Sequence, residues 1–94
     1  MHIEPEAIDT STVELRTDLR HLAERLAVRA HENWVRRRIR EGWTYGSSRN
    51  DIKRQHPCLV PFGDLSESEK LFEFDSAIDA LKTIMALGYR VEKE

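Results

Sequence analysis

Two stretches of this chain place apolar residues at steps of three and four, and each runs out at a glycine. Nothing else in the sequence limits the fold as strongly. In the first, Leu19, Leu22, Ala23, Leu26, Ala27, Ala30, Trp34, Val35 and Ile39 mark one stripe of a 3.6-residue period. The pattern predicts a helix of about six turns. Thr17 is its expected N-cap, Asp18 sits near the positive end of the dipole, and Gly42 is the stop. In the second, Leu71, Phe74, Ala77, Ile78, Leu81, Ile84, Met85 and Leu87 repeat the pattern ahead of Gly88. Ser66 and Glu69 have capping-box spacing at its start. The acidic, aromatic run Phe72–Ser76 can kink or split this helix, with Ser76 as a second N-cap.

The two stops invite comparison. With Gly88 at C′, Tyr89 should pack back on Ile84; by the same count Trp43 should pack back on Arg38. The second contact is a cation–π or stem contact rather than an aliphatic one. Trp43 is therefore expected nearer the surface than Tyr89.

Residues 1–16 show no sustained period; Pro5 and the Asp9–Thr12 cluster read as an extended arm with turn chemistry. Residues 43–65 carry Gly46, Pro57, Pro61 and Gly63, and within them Cys58–Phe62 reads as an extended strap packed on the helices. A connection this long must be held by its own side chains, and loops of that kind often carry function.

Ninety-four residues make one domain of modest stability, for which pairing with a second copy would matter. Fifteen basic against seventeen acidic residues give a net charge of -2, which argues against a general nucleic-acid binder. The single Cys58 cannot form an internal disulfide, so a reducing, cytoplasmic setting is expected. No apolar run reaches the roughly 20 residues of a membrane span, and the acidic N-terminus lacks a signal-peptide pattern.

Catalytic and metal chemistries find little support. There is no nucleophile elbow, phosphate-binding glycine loop or recognisable carboxylate pair, and no cofactor motif. His56 and Cys58 alternate on an extended segment and can touch, but no third group orients them. His21, His31, His56 and Cys58 lack zinc-ligand spacing. His31 reads as a packing residue with one ring nitrogen bonded to the middle segment, and Cys58 as a buried, inert thiol.

Leu26 to Val91 carries an ordered set of motifs: LA-x-x-x-H-x-x-W on the first helix, G-W-x-Y-G at its end, R-x-D-x-K-R-Q-H-P-C-L-V-P, L-x-x-x-E-K and a final L-x-x-L-G-Y. The set resembles the RyR domain, the repeat unit named after ryanodine receptors, in the single-copy form found in bacteria, archaea and phages. The resemblance implies a mostly α fold: two long antiparallel helices, about 17–41 and 66–87, the second with its open break near 72–76. An irregular Pro/Gly-containing connection with little or no β joins them. Together with the aperiodic arm over 1–16, this gives residues 17–94 as one expected repeat. In the receptors such repeats occur as tandem pairs about a pseudo-twofold axis and are implicated in purine nucleotide binding. A lone copy is then expected to form a homodimer, and channel activity does not carry over.

Combined with the residues, this points to a non-enzymatic sensor for an adenine-type nucleotide or derivative. Trp34 and Trp43, nine residues apart, need not share a face within one chain, but indoles from two protomers could sandwich a base. Arg37, Arg38, Arg49, Lys53 and Arg54 would supply charge for phosphates, and Tyr45 and Asp51 hydrogen bonds to base or ribose. Each has a plainer reading. Trp34 continues the core stripe, Tyr45 packs on its own loop, and Arg36–Arg38 form a solvated face. The alternative function is a pure interaction or dimerisation module with no open pocket beside the tryptophans.

Overall fold

The computed structural model describes residues 3–94. Helix α1 spans Thr17–Arg40 and helix α2 spans Glu67–Ala86. Between them come β1 (Thr44–Tyr45), β2 (Gln55–His56) and a 3-10 turn at Phe62–Asp64. Arg16 at the head of α1 donates through Nη2 to the Val91 carbonyl beyond α2 (3.3 Å), and Trp34 near the other end lines a cleft with Glu69 and Glu73. The helices are therefore antiparallel, and the fold is mostly α with an irregular connection.

Helix α1 buries Leu19, Ala23, Ala27 and His31, a line of strict four-residue steps. The two alanines in its middle let α2 approach closely. Leu26 and Ile39, expected on the core stripe, are 39% and 60% exposed, because that line is narrower than the apolar pattern. The core gathers at one end: Leu15, Leu19, Ala23 and Leu81 are buried together, with Phe74, Ile78 and Met85 packed against them. Val13 and Leu15 draw the end of the arm into this core.

Local details differ from the expectations at both helix starts. Arg16, not Thr17, holds the N-cap position of α1 and makes no side-chain capping bond; Asp18 instead accepts from the Leu19 amide (3.0 Å). At α2, Ser66 accepts from the Glu69 amide (3.2 Å). The Glu69 carboxylate makes no return bond among the described residues, so half of the box forms. Helix α2 is continuous: Ser76 donates its hydroxyl to the Phe72 carbonyl (2.9 Å), a bond inside the helix that removes the need for a second cap.

Both glycine stops are Schellman turns. Trp43 N donates to Arg38 O (2.9 Å) and Gly42 N to Ile39 O (3.0 Å), with Gly42 at φ +88°. Tyr89 N donates to Ile84 O (3.2 Å) and Gly88 N to Met85 O (3.0 Å), with Gly88 at φ +97°. The expected order of burial is reversed: Tyr89 is 68% exposed, whereas Trp43 is half-buried. The connection folds back over Trp43, while the chain after Tyr89 runs on as coil.

The connection is tied down by few bonds. Strands β1 and β2 run parallel, pairing Thr44 with Gln55 and Tyr45 with His56. Gln55 also exchanges two 2.9 Å bonds with Asn50, closing a small loop in which Arg54 takes φ +54°. Gly46 makes this possible, since a Cβ there would sit 2.6 Å from the Gln55 Cβ.

Candidate ligand site at the end of helix α1

The buried line of α1 ends in a histidine. His31 is 4% exposed, and its Nε2 donates to the Val60 carbonyl (2.7 Å), the packing role and middle-segment bond expected of it. One turn on, Trp34 stacks on His31 (5.8 Å, 25°) and meets His56 edge-on (5.0 Å, 75°).

The turn at Gly42 then does what the linear spacing hides. It reverses the backbone, so Trp43 lies back over Arg38, whose guanidinium carbon is 5.4 Å from the Trp43 ring centroid and 5.9 Å from that of Trp34. His56 lies 6.4 Å from Trp43 on the tilt. Trp34, Arg38, Trp43 and His56 are thus one cluster in a single protomer. The Arg38–Trp43 contact is the one expected from the Gly42 stop; that Trp34 and His56 join it was not anticipated, because Trp43 lies beyond the helix.

In the sequence His56 stands out only as a neighbour of Cys58 and as a histidine without zinc-ligand spacing. Its Nδ1 accepts from the Cys58 amide (3.0 Å), so the neutral ring carries its proton on Nε2. Burial, aided by the Arg49 and Arg38 charges, holds its pKa below the usual histidine value against the opposing pull of Glu69 and Asp51. Burial, with Glu69, pushes the Cys58 thiol up, the wrong direction for a nucleophile.

The other sequence candidates divide. Arg49 and Asp51 pair with each other (2.8 Å); that bond raises the Arg49 pKa and lowers the Asp51 pKa. Arg54 donates to the Glu41 carbonyl (2.7 Å), tying the loop to the end of α1. Tyr45 is 60% exposed on β1. Arg37 and Lys53 are exposed, and their side chains have no ionic partner among the described residues.

Beside Trp34 opens a cleft of about 150 Å³, lined by His31, Trp34, His56, Cys58, Leu65, Glu69 and Glu73. Its α2 wall is acidic; the arginines lie toward Trp43. Nothing in the sequence assigns Glu69 and Glu73 to this cleft: Glu69 has capping-box spacing and Glu73 belongs to the acidic run Phe72–Ser76. Two larger open grooves, about 460 and 330 Å³, flank Phe62 along α1. No group of three potential metal ligands occurs among the described residues, and no helix there is long and apolar enough to cross a membrane.

The family model of the RyR domain, which is not known as an enzyme family, matches residues 3–93, so the match takes in the arm as well as both helices and the aromatic cluster between them. With more than half the chain covered by that match, the protein belongs to the RyR domain family.

Proposed function

We propose that this chain is a non-enzymatic recognition module that binds a planar, anionic small molecule of the nucleotide class, such as an adenine nucleotide or derivative, and acts as a homodimer. The observation that carries this reading is the Arg38 guanidinium held between the rings of Trp34 and Trp43. Aromatic faces beside a cation suit a base with a phosphate; stacking contributes on the order of 1–3 kcal/mol per base. The carboxylates of Glu69 and Glu73 direct the phosphate away from the cleft, toward Arg38, Arg49 and Arg37. Arg49 would then exchange Asp51 for the phosphate.

Size supports a shared site. Pockets for small molecules start at roughly 300 Å³, and the cleft beside Trp34 holds about 150 Å³. A second copy would supply the remaining wall. Calorimetric titration with mono-, di- and cyclic nucleotides tests the reading; no heat at millimolar ligand rejects it.

A second reading, a dimerisation module without ligand, is favoured by the exposed apolar residues of α2 and its C-cap, including Phe72 at 65% and Leu87 at 57%. It predicts a dimer by analytical ultracentrifugation together with silent calorimetry.

A further inference from the structure

Helix α2 has a second apolar side that the fold leaves bare. Phe72, Ser76, Ala80, Thr83, Ile84 and Leu87 follow one another at steps of four, four, three, one and three, away from the Leu81 line that faces α1. Phe72, Ile84 and Leu87 are 65%, 41% and 57% exposed. Between Ser76 and Leu87 the stripe itself carries no charge; Asp79 borders it beside Ser76 and Thr83, and Lys82 lies away from it.

The accessible surface fits an incomplete unit. A compact monomer of 11.0 kDa exposes about 5,600 Å², whereas this chain exposes 7677 Å². The extended arm contributes to the excess, but no large side chain among the described residues is fully buried either. A standard interface removes about 800 Å² from each partner.

We propose that a second copy of this chain docks along this side of α2, antiparallel about Ala80, and that its Leu87–Arg90 turn closes the cleft beside Trp34. Three features select a second copy as the occupant. The stripe is complementary to itself in that register: Ala80 meets the partner's Ala80, and the small Ser76 faces the partner's Ile84. The charges match at the ends, where Glu69 and Glu73, which have no ionic partner among the described residues, come beside the partner's Arg90. Finally, Glu69 and Glu73 also form the α2 wall of the cleft, so the same register sets the partner's Leu87 and Tyr89 against its mouth. This face deepens the proposed reading and rests on its pairing, not on the ligand.

Cysteine cross-linking without nucleotide, in a Cys58→Ser background, tests the face. Ala80→Cys should cross-link to a dimer under mild oxidation, whereas Asp75→Cys, on the other side of α2, should not. Glu73→Cys/Leu87→Cys should also cross-link while neither single variant does; the pair lies about 21 Å apart along one helix, so a bond that needs both cysteines forms only between antiparallel copies. Ile84→Glu should shift the sedimenting species to monomer with its helical circular dichroism retained. A wild-type dimer in which Ala80→Cys fails to cross-link, or cross-links no better than Asp75→Cys, overturns the face and leaves the pairing standing. A wild-type monomer at tens of micromolar overturns both.

Discussion

His31 Nε2 lies 2.7 Å from the carbonyl oxygen of Val60, joining the buried side of α1 to the strap that crosses it. A carbonyl can only accept, so the proton on that nitrogen is fixed by its partner. His31→Phe keeps the volume but strands a carbonyl in a site where the histidine itself is 4% exposed. It should lower stability by about 1–3 kcal/mol, read as a shift in the urea midpoint with the slope unchanged.

Arg38 is shared between two indoles. Arg38→Ala should leave the helical signal intact, costing about 1 kcal/mol of stability, and shift Trp fluorescence as both rings lose their cover. On the proposed function it also weakens nucleotide binding at least tenfold by calorimetry. Arg37→Ala, with no contact to the rings, should weaken it less.

Gly46 stands where the Gln55 side chain crosses the backbone. Gly46→Ala should force β1 from β2 and cost about 1–3 kcal/mol. Gly63→Ala, where an added Cβ meets nothing within 4 Å, is the matched control and should stay close to wild type. Thermal melts of the pair check this.

His56 has its pKa lowered in the folded protein. In acid the unfolded chain then takes up this proton first, so stability rises with pH through this window. The His56 contribution is fully present above the unfolded value of about 6.5 and is lost as pH falls toward the lower folded pKa. Urea unfolding between pH 5 and 7.5 should show the decline, and His56→Gln should flatten it. An equally steep decline in the variant places its source elsewhere.

The glycine stops of the two helices were the most legible part of the sequence. Gly42 and Gly88 fix their turns through positive φ, which is a local property of the backbone. The bond from His31 to the strap was also readable, because a lone polar residue on an apolar line must find a partner. What lay after each glycine was not readable in the same way. Trp43 is covered because His56 arrives from β2, and Tyr89 is bare because nothing returns over it; both depend on contacts distant in sequence. The continuity of α2 at Ser76 was hidden for a different reason. A serine hydroxyl can cap a new helix or bond back into its own, and only packing on both sides selects the second.

The buried core and the aromatic cluster occupy opposite ends of the helix pair. Leu15, Leu19, Ala23 and Leu81 hold the end where α1 begins, while Trp34, Arg38, Trp43 and His56 sit where it finishes. The apolar core and the proposed recognition cluster are therefore spatially separate. Substitutions that loosen the strap and its two short strands should therefore leave the hydrophobic end closed, a jaw that can be altered without touching its handle.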